Sequence, residues 1–245
     1  MRRGSGRGRT IVAVSTDGHR SENHSREAQQ AKVTALGRAY AQALLSADEA
    51  AAEIAIREAM DVGLDTASID DDIIAPALWQ IGDLWERGEI SVADEHVATE
   101  ISLRVLALQR EAQRVAQTRG EHRVLLAAPA GEQHIVALRM VDNLLRNAGY
   151  DVAMLGSDVP GEDLITLMHR RPPSVVCLTS TMAEPAGEVL ATIRALQRRW
   201  PAMGFVIGGS GLASRVHSRP GIDVCRRVSD AVEAVDAMVK GGSRN

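Results

Sequence analysis

The feature that most limits this chain is a change of hydrophobic period near residue 120. From about Ala31 to Gln117, apolar residues recur at three- and four-residue steps with many alanines between them. That is the spacing of a helix with one buried stripe. From Glu121 onward, short apolar runs alternate with helical stretches. The first pattern buries its stripes helix on helix, and the second buries a parallel sheet beneath crossover helices. The expected fold class is α/β plus α: a four-helix bundle followed by a doubly wound five-stranded parallel sheet.

Within the bundle, the first helix is expected near Val33 to Leu45. Ser46 can cap a second helix, which ends before Gly63. A third starts after Ser68, with Asp70, Asp71 and Asp72 near its positive N-terminal end, and stops near Gly88. A fourth starts at Ser91, with Asp94 at capping-box spacing, and runs to Gln117. Short turns make these helices antiparallel neighbours.

In the second half, Val124 to Ala128 reads as a strand buried on both faces, followed by a helix from about His134 to Asn147. Strand two is Asp151 to Leu155, with a turn over Gly156 to Pro160. Strand three is Val175 to Thr179, strand four Gly204 to Ile207, and a weaker strand is Ile222 to Arg226. Ligands of such sheets lie at the carboxyl ends of the strands. The unusual residues fall there. Glu132, Gln133 and His134 follow strand one; Gly156, Ser157 and Asp158 follow strand two; Thr179, Ser180 and Thr181 mark the end of strand three; Gly208 and Gly209 follow strand four. Small residues let a ligand approach the backbone, and hydroxyls can hydrogen-bond it. Taken singly, each is also an ordinary turn residue.

A lone imidazole in such a loop suits a metal, with the second ring nitrogen held by an acid. Glu132, two residues away, can hold the second ring nitrogen. No GxGxxG follows strand one and no GxxxxGK[ST] occurs, so no nucleotide fingerprint is present. A response-regulator phosphoacceptor site is a poor match, for want of an acidic pair at strand one and a lysine near strand five.

Aromatic residues are only 2% of the chain, so the core must be Ala, Val, Leu and Ile, and each tryptophan needs a reason. Trp85 falls in the last turn of the third helix. Glu95 and His96 fall in the first turns of the fourth. The short turn between the helices puts all three at one end of the bundle. Each has an ordinary reading: a core plug, a helix-start acid, a surface histidine.

The N-terminal segment 1–30 reads as a disordered, weakly basic tail without a helix-turn-helix pattern. Net charge is −4, giving no global drive toward nucleic acid. No apolar stretch is long enough to span a membrane. Cys177 and Cys225 lie in apolar runs, as expected of buried thiols in a reducing compartment, the cytoplasm. No nucleophile–base pairing stands out, so a stand-alone enzyme is not expected.

At this point the chain resembles a known family. Residues 120–241 resemble a cobalamin-binding domain of flavodoxin-like fold. That family's motif is Asp-x-His-x-x-Gly, with Ser or Thr after strand three and Gly-Gly after strand four. Here the matching residues are Glu132-Gln133-His134-Ile135-Val136-Ala137, Thr179 and Gly208-Gly209. Residues 31–119 resemble the helical domain that caps the cofactor in corrinoid proteins. The Trp85, Glu95, His96 spacing, with Glu at 132, is most similar to the CarH-like adenosylcobalamin photoreceptors and the related photocobilins.

The resemblance implies that Trp85, Glu95 and His96 cover the adenosyl group on the upper corrin face. It implies that His134 ligates cobalt from below, displacing the cofactor's benzimidazole, and that the nucleotide tail enters beside Thr179 and Gly208-Gly209. Gln133, Gly156, Asp158 and Ser180 complete the expected cofactor contacts. Ala137 departs from the family glycine. Light-dependent regulators of this branch usually carry a MerR-type DNA-binding domain. Only the thirty-residue tail stands in that place here, so the expected output is a partner protein or a homo-oligomer rather than direct DNA binding. The photocobilin branch adds a bilin such as biliverdin, and no cysteine stands at an attachment loop. The implied function is a cobalamin-based light sensor. A corrinoid carrier subunit of a methyltransferase and a passive cobalamin-binding module are the alternatives.

Overall fold

The computed structural model describes residues 17–113, 120–181, 186–213 and 215–242. The arginine-rich start of the tail and the apolar run Ile11 to Val14 lie outside them, as do residues 114–117 of the expected fourth helix.

The helical half holds α1 (Asp17–Leu45), α2 (Glu49–Asp61), α3 (Thr66–Ile69), a π-turn (Asp70–Ile74), α4 (Ala75–Glu86) and α5 (Val92–Ala112). The segment α3–π-turn–α4 is one continuous rod, so four rods form the expected bundle. Its core is Leu, Ile, Val and Ala around one aromatic, Tyr40, which is fully buried and donates to Ser102 Oγ at 2.9 Å. The expected capping box is present: Ser91 Oγ accepts from Asp94 N, and Ser91 N donates to Asp94 Oδ2.

Three expectations change. Residues 17–30, expected in a disordered tail, are helical in α1. Residues 26–32 are exposed and the buried stripe begins at Val33, so hydrophobic period could not show a helix carried there by polar helix formers. Ser46 does not cap α2. Its hydroxyl donates to Gln42 O, and Asp48 caps instead by accepting from Ala51 N. The third rod starts at Thr66, capped by Asp65 accepting from Ser68 N at 2.7 Å. Asp70 to Asp72 therefore lie inside the rod, not at its positive end. Pro76 lacks the N–H that the Asp72 carbonyl would use in an α-helix. The rod widens just before it, and Ala75 N donates to Asp70 O.

The second half is β1 (Arg123–Pro129), α6 (Val136–Asn147), β2 (Asp151–Val159), α7 (Gly161–Arg170), β3 (Val175–Thr179), α8 (Ala186–Arg199), β4 (Gly204–Gly208), α9 (Ser210–Ala213), β5 (Ile222–Val224) and α10 (Asp230–Gly242). All strands are parallel, in the order β2-β1-β3-β4-β5, the flavodoxin-like order with a switch point between β1 and β3. β1 and β3 are almost wholly buried, as their unbroken apolar runs require. The expected turn at Gly156 to Pro160 is instead strand as far as Val159. Register shifts against β1, with positive φ at Gly156 and Asp158, mark an irregular edge. A glycine followed by Ser-Asp looks like a turn in sequence, but here it bends an edge strand.

The two halves share a core. Val136 and Met140 of α6 belong to the bundle's apolar cluster. Asn143 Nδ2 donates to the Leu106 carbonyl of α5 at 3.0 Å. Asp142, fully buried, pairs with Arg110 of α5 at 3.1 Å and with Arg146 of its own helix at 2.7 Å. Among the described residues, no helix is long and apolar enough to cross a membrane.

Candidate functional site

The centre of the candidate site is the Glu132 carboxylate, which is wholly buried at the ligand edge. Oε1 accepts from the His134 backbone N–H at 2.8 Å and from His134 Nδ1 at 2.6 Å. Oε2 accepts from Ser180 Oγ at 2.9 Å and Thr181 N at 2.6 Å. One carboxylate thus ties the β1–α6 loop to the end of β3. The longer reach of Glu fits this bridge. The His134 side chain is 42% exposed. With Nδ1–H held by Glu132, Nε2 is the nitrogen left for a ligand. The Glu132 hydrogen bond raises the His134 pKa, partial burial opposes it, and the charges of Glu132 and Glu95 add to the rise. Glu95, from the bundle, is therefore close enough for its charge to act on His134.

The loop is braced from β2. Asp158 Oδ1 accepts from Gly131 N at 2.8 Å, and Asp158 N donates to Glu132 O at 3.0 Å. Gly156 is the bend that precedes this brace. Gln133 is exposed. Thr179 and Ser180 are buried, and the Ser180 hydroxyl is engaged with Glu132. At the end of β4 the two glycines differ. A side chain on Gly209 would meet the Ser180 carbonyl oxygen at 2.2 Å, and its φ is +89°; one on Gly208 would meet no protein atom within 4 Å. Gly209 is needed by the fold, whereas Gly208 leaves open space. Helix α6 starts at Val136, and Ala137 sits in its first turn. Nothing in that position requires glycine.

At the bundle end, Trp85 is 38% exposed and so is not a core plug. Glu95 is oriented by Thr99 Oγ1, which donates to Oε1 at 3.0 Å, and by His96 Nδ1 at 2.6 Å from Oε2. His96 itself is largely exposed. The position of Thr99, one helical turn after Glu95, was the sequence signal for this support, and it was missed. The Thr181 backbone donor and the Asp158 brace were invisible to sequence because they depend on loop geometry.

Among the described residues, no three His, Cys, Asp or Glu side chains gather to hold a metal ion. A single presented imidazole is the donor set of a metal that brings its own equatorial ligands, as a corrinoid cobalt does. Both cysteines are free and buried in the sheet domain.

Residues 122–236 match a B12 binding domain family, and residues 36–108 match a second family of the same description. The chain is 31% identical over 160 residues to the HTH-type transcriptional repressor CarH of Myxococcus xanthus, spanning 65% of this chain and 50% of that protein. It is 22% identical over 203 residues to the methanol–corrinoid protein of Methanosarcina barkeri, spanning 82% of this chain and 78% of the other. The solved structure of the Methanosarcina barkeri monomethylamine corrinoid protein aligns with a TM-score of 0.67 at 16% identity, covering 81% of this chain and 96% of that one, a likeness of fold. The chain spans about half the length of the CarH repressor it matches.

Proposed function

We propose that this cobalamin-binding protein, built of two B12-binding domains in tandem, is a light sensor that holds adenosylcobalamin between them. The observation that carries this reading is the pairing of two prepared surfaces. A histidine with one free ring nitrogen stands on the sheet edge. A half-exposed tryptophan with a braced Glu–His pair stands on the bundle. Bound adenosylcobalamin supplies a cobalt–carbon bond that visible light breaks. In this reading His134 would hold the metal through Nε2, with Glu132 keeping its ring oriented. Gly208 lets the cofactor lie against the backbone. Trp85 packs on the upper ligand and, with Glu95 and His96, excludes water from it. The scarcity of aromatics and the half-exposed position of Trp85 support assigning it to the ligand.

A second reading, a corrinoid carrier subunit of a methyltransferase system, is favoured by the match to the methanol–corrinoid protein over most of that protein's length. A carrier must open its cofactor to a partner enzyme, and a half-exposed Trp85 at the bundle end is better suited to covering a bound ligand. The test is the absorption spectrum of protein loaded with adenosylcobalamin, in the dark and after green light. The sensor reading expects a dark-stable spectrum that changes permanently on illumination. It also expects Trp85→Ala to lose preference for adenosylcobalamin over methylcobalamin. Equal preference in wild type and variant, with methylcobalamin bound tightly by both, favours the carrier.

A further inference from the structure

The π-turn that interrupts the third rod carries three consecutive aspartates with opposite fates. Asp70 is fully buried in the bundle, and neither of its oxygens has a hydrogen-bond partner among the described residues. The Gln109 amide of α5 lies close enough to favour the charged form of Asp70, but its geometry makes no hydrogen bond to it. Tyr40 of α1 lies within electrostatic reach, but its hydroxyl is spent on Ser102, which in turn donates to Ala98 O at 2.8 Å. The charges acting on Asp70, from Asp65 at the start of α3 and from Asp71, are both negative. The nearby cation, Arg227, is occupied by Asp71 at 3.2 Å and Asp72 at 2.8 Å. A charged carboxylate buried without a partner is costly, and the usual relief is to keep its proton.

The next two aspartates clasp the sheet domain. Asp71 Oδ1 accepts from Val228 N at 2.8 Å. Asp71 Oδ2 accepts from Ser229 N and Arg227 Nε, both at 3.2 Å. Val228 packs on the bundle core. A single turn thus carries both the uncompensated carboxyl and the contacts that join the β5–α10 loop to the bundle. We propose that Asp70 is a proton-binding site that governs docking of the two domains. With its proton, Asp70 stays inside and the turn presents Asp71 and Asp72 to Arg227, Val228 and Ser229. Without it, the carboxylate is drawn toward water, the turn rearranges and the clasp loosens.

Burial raises the Asp70 pKa from 3.8 to about 7; the Gln109 amide, the next largest influence, opposes the rise, and the charges of Asp71 and Asp65 add to it. Between those values the folded chain binds a proton that the unfolded chain releases. Docking therefore weakens as pH rises through this window and levels off above about 7.

The test is hydrogen exchange on the full chain at the Val228 and Ser229 amides, corrected for the intrinsic pH dependence of exchange. Protection is expected to fall at least about tenfold between roughly pH 5.5 and 8.5 in wild type, and to stay within about twofold in Asp70→Asn. Flat wild-type protection, or the same fall in the variant, overturns the proposal. Because Asp70→Asn alters a buried site, the carboxyl carbon of Asp70 is also titrated by NMR in aspartate-labelled wild type. A midpoint near neutral supports the proposal, and a midpoint in the ordinary aspartate range sinks it. Arg227→Ala should expose both amides at every pH and, because proton binding and docking are reciprocally linked, move that midpoint down toward the ordinary aspartate range; an unmoved midpoint overturns the coupling.

Discussion

The histidine on the sheet edge has one nitrogen engaged and one presented, and this division of labour makes sharp predictions at the level of single residues. His134→Ala should weaken corrinoid binding and move the bound spectrum toward a base-off form. Unchanged affinity and spectrum would show that the metal is held otherwise. The adjacent glycines give a paired test. Gly209→Ala forces a side chain into the Ser180 carbonyl at a left-handed backbone position, at a cost of at least roughly 1–2 kcal/mol of stability. Gly208→Ala meets open space, so the apoprotein should melt within about 0.5 kcal/mol of wild type. Corrinoid affinity should nevertheless drop about tenfold, the equivalent of ~1.4 kcal/mol. Melting curves and titration of both variants check this, and a Gly208→Ala variant with wild-type affinity would remove that glycine from the cofactor surface. At this scale the sequence was readable wherever chemistry follows from residue type. Glu132 beside His134 is a carboxylate–imidazole pair two positions apart, and the pair forms. What could not be read was that the same carboxylate also gathers Ser180 and Thr181, because that depends on how β1 and β3 are paired in the sheet.

Helix α6 links the His134 loop to the bundle. It starts two residues after His134, sends Val136 and Met140 into the bundle core, and carries Asp142 and Asn143 to α5. Asp142 is wholly buried between arginines that are each partly exposed. Removing it leaves those cations without their common partner, although each can turn to water. Asp142→Ala should therefore cost less than a fully buried pair, about 2 kcal/mol, or a melting temperature lower by roughly 4–8 °C. Thermal unfolding of the apoprotein measures it, and a shift of under a degree would mean the ion cluster is ornamental to docking. Elements were largely legible because the first half keeps one helical period and the second alternates short apolar runs with helical stretches. The errors share a cause: they fall where local bonding competes with period. Asp48 outbids Ser46 as a cap, polar helix formers extend α1 without an apolar stripe, and Pro76 widens the rod into a π-turn. The buried face of α6 signalled a helix. That it serves the bundle rather than the sheet alone could not be inferred from an amphipathic pattern.

For the whole molecule, the arrangement amounts to two bodies joined by a continuous apolar seam, an ion cluster at α5–α6 and the Asp71–Arg227 clasp. Among the described residues, the ion pairs and hydrogen bonds of these joints do not involve Trp85, Glu95 or His96, so in the sensor reading that bundle end can answer to the ligand while the seam holds the rest. A ligand moves such an equilibrium only through contacts that differ between the two states. In the sensor reading, the adenosyl group is what Trp85, Glu95 and His96 touch, and its loss withdraws those contacts at one stroke. The exposed apolar side chains Val92 and Val97, on the same helix start as Glu95 and His96, would then change their surroundings along with it. Illumination of the adenosylcobalamin-loaded chain should therefore alter its hydrodynamic radius or assembly, read by size-exclusion chromatography with light scattering in the dark and after green light. Trp85→Ala should shrink that difference, since the dark state would already lack the largest of the three contacts. His134→Ala serves as the control that never loads in the ligated form. If light bleaches the cofactor while radius, mass and partner binding stay as they were in the dark, the cobalt–carbon bond is not coupled to the bundle. Trp85 would then cover a carrier's cofactor at rest, and the corrinoid would be cargo for a partner enzyme.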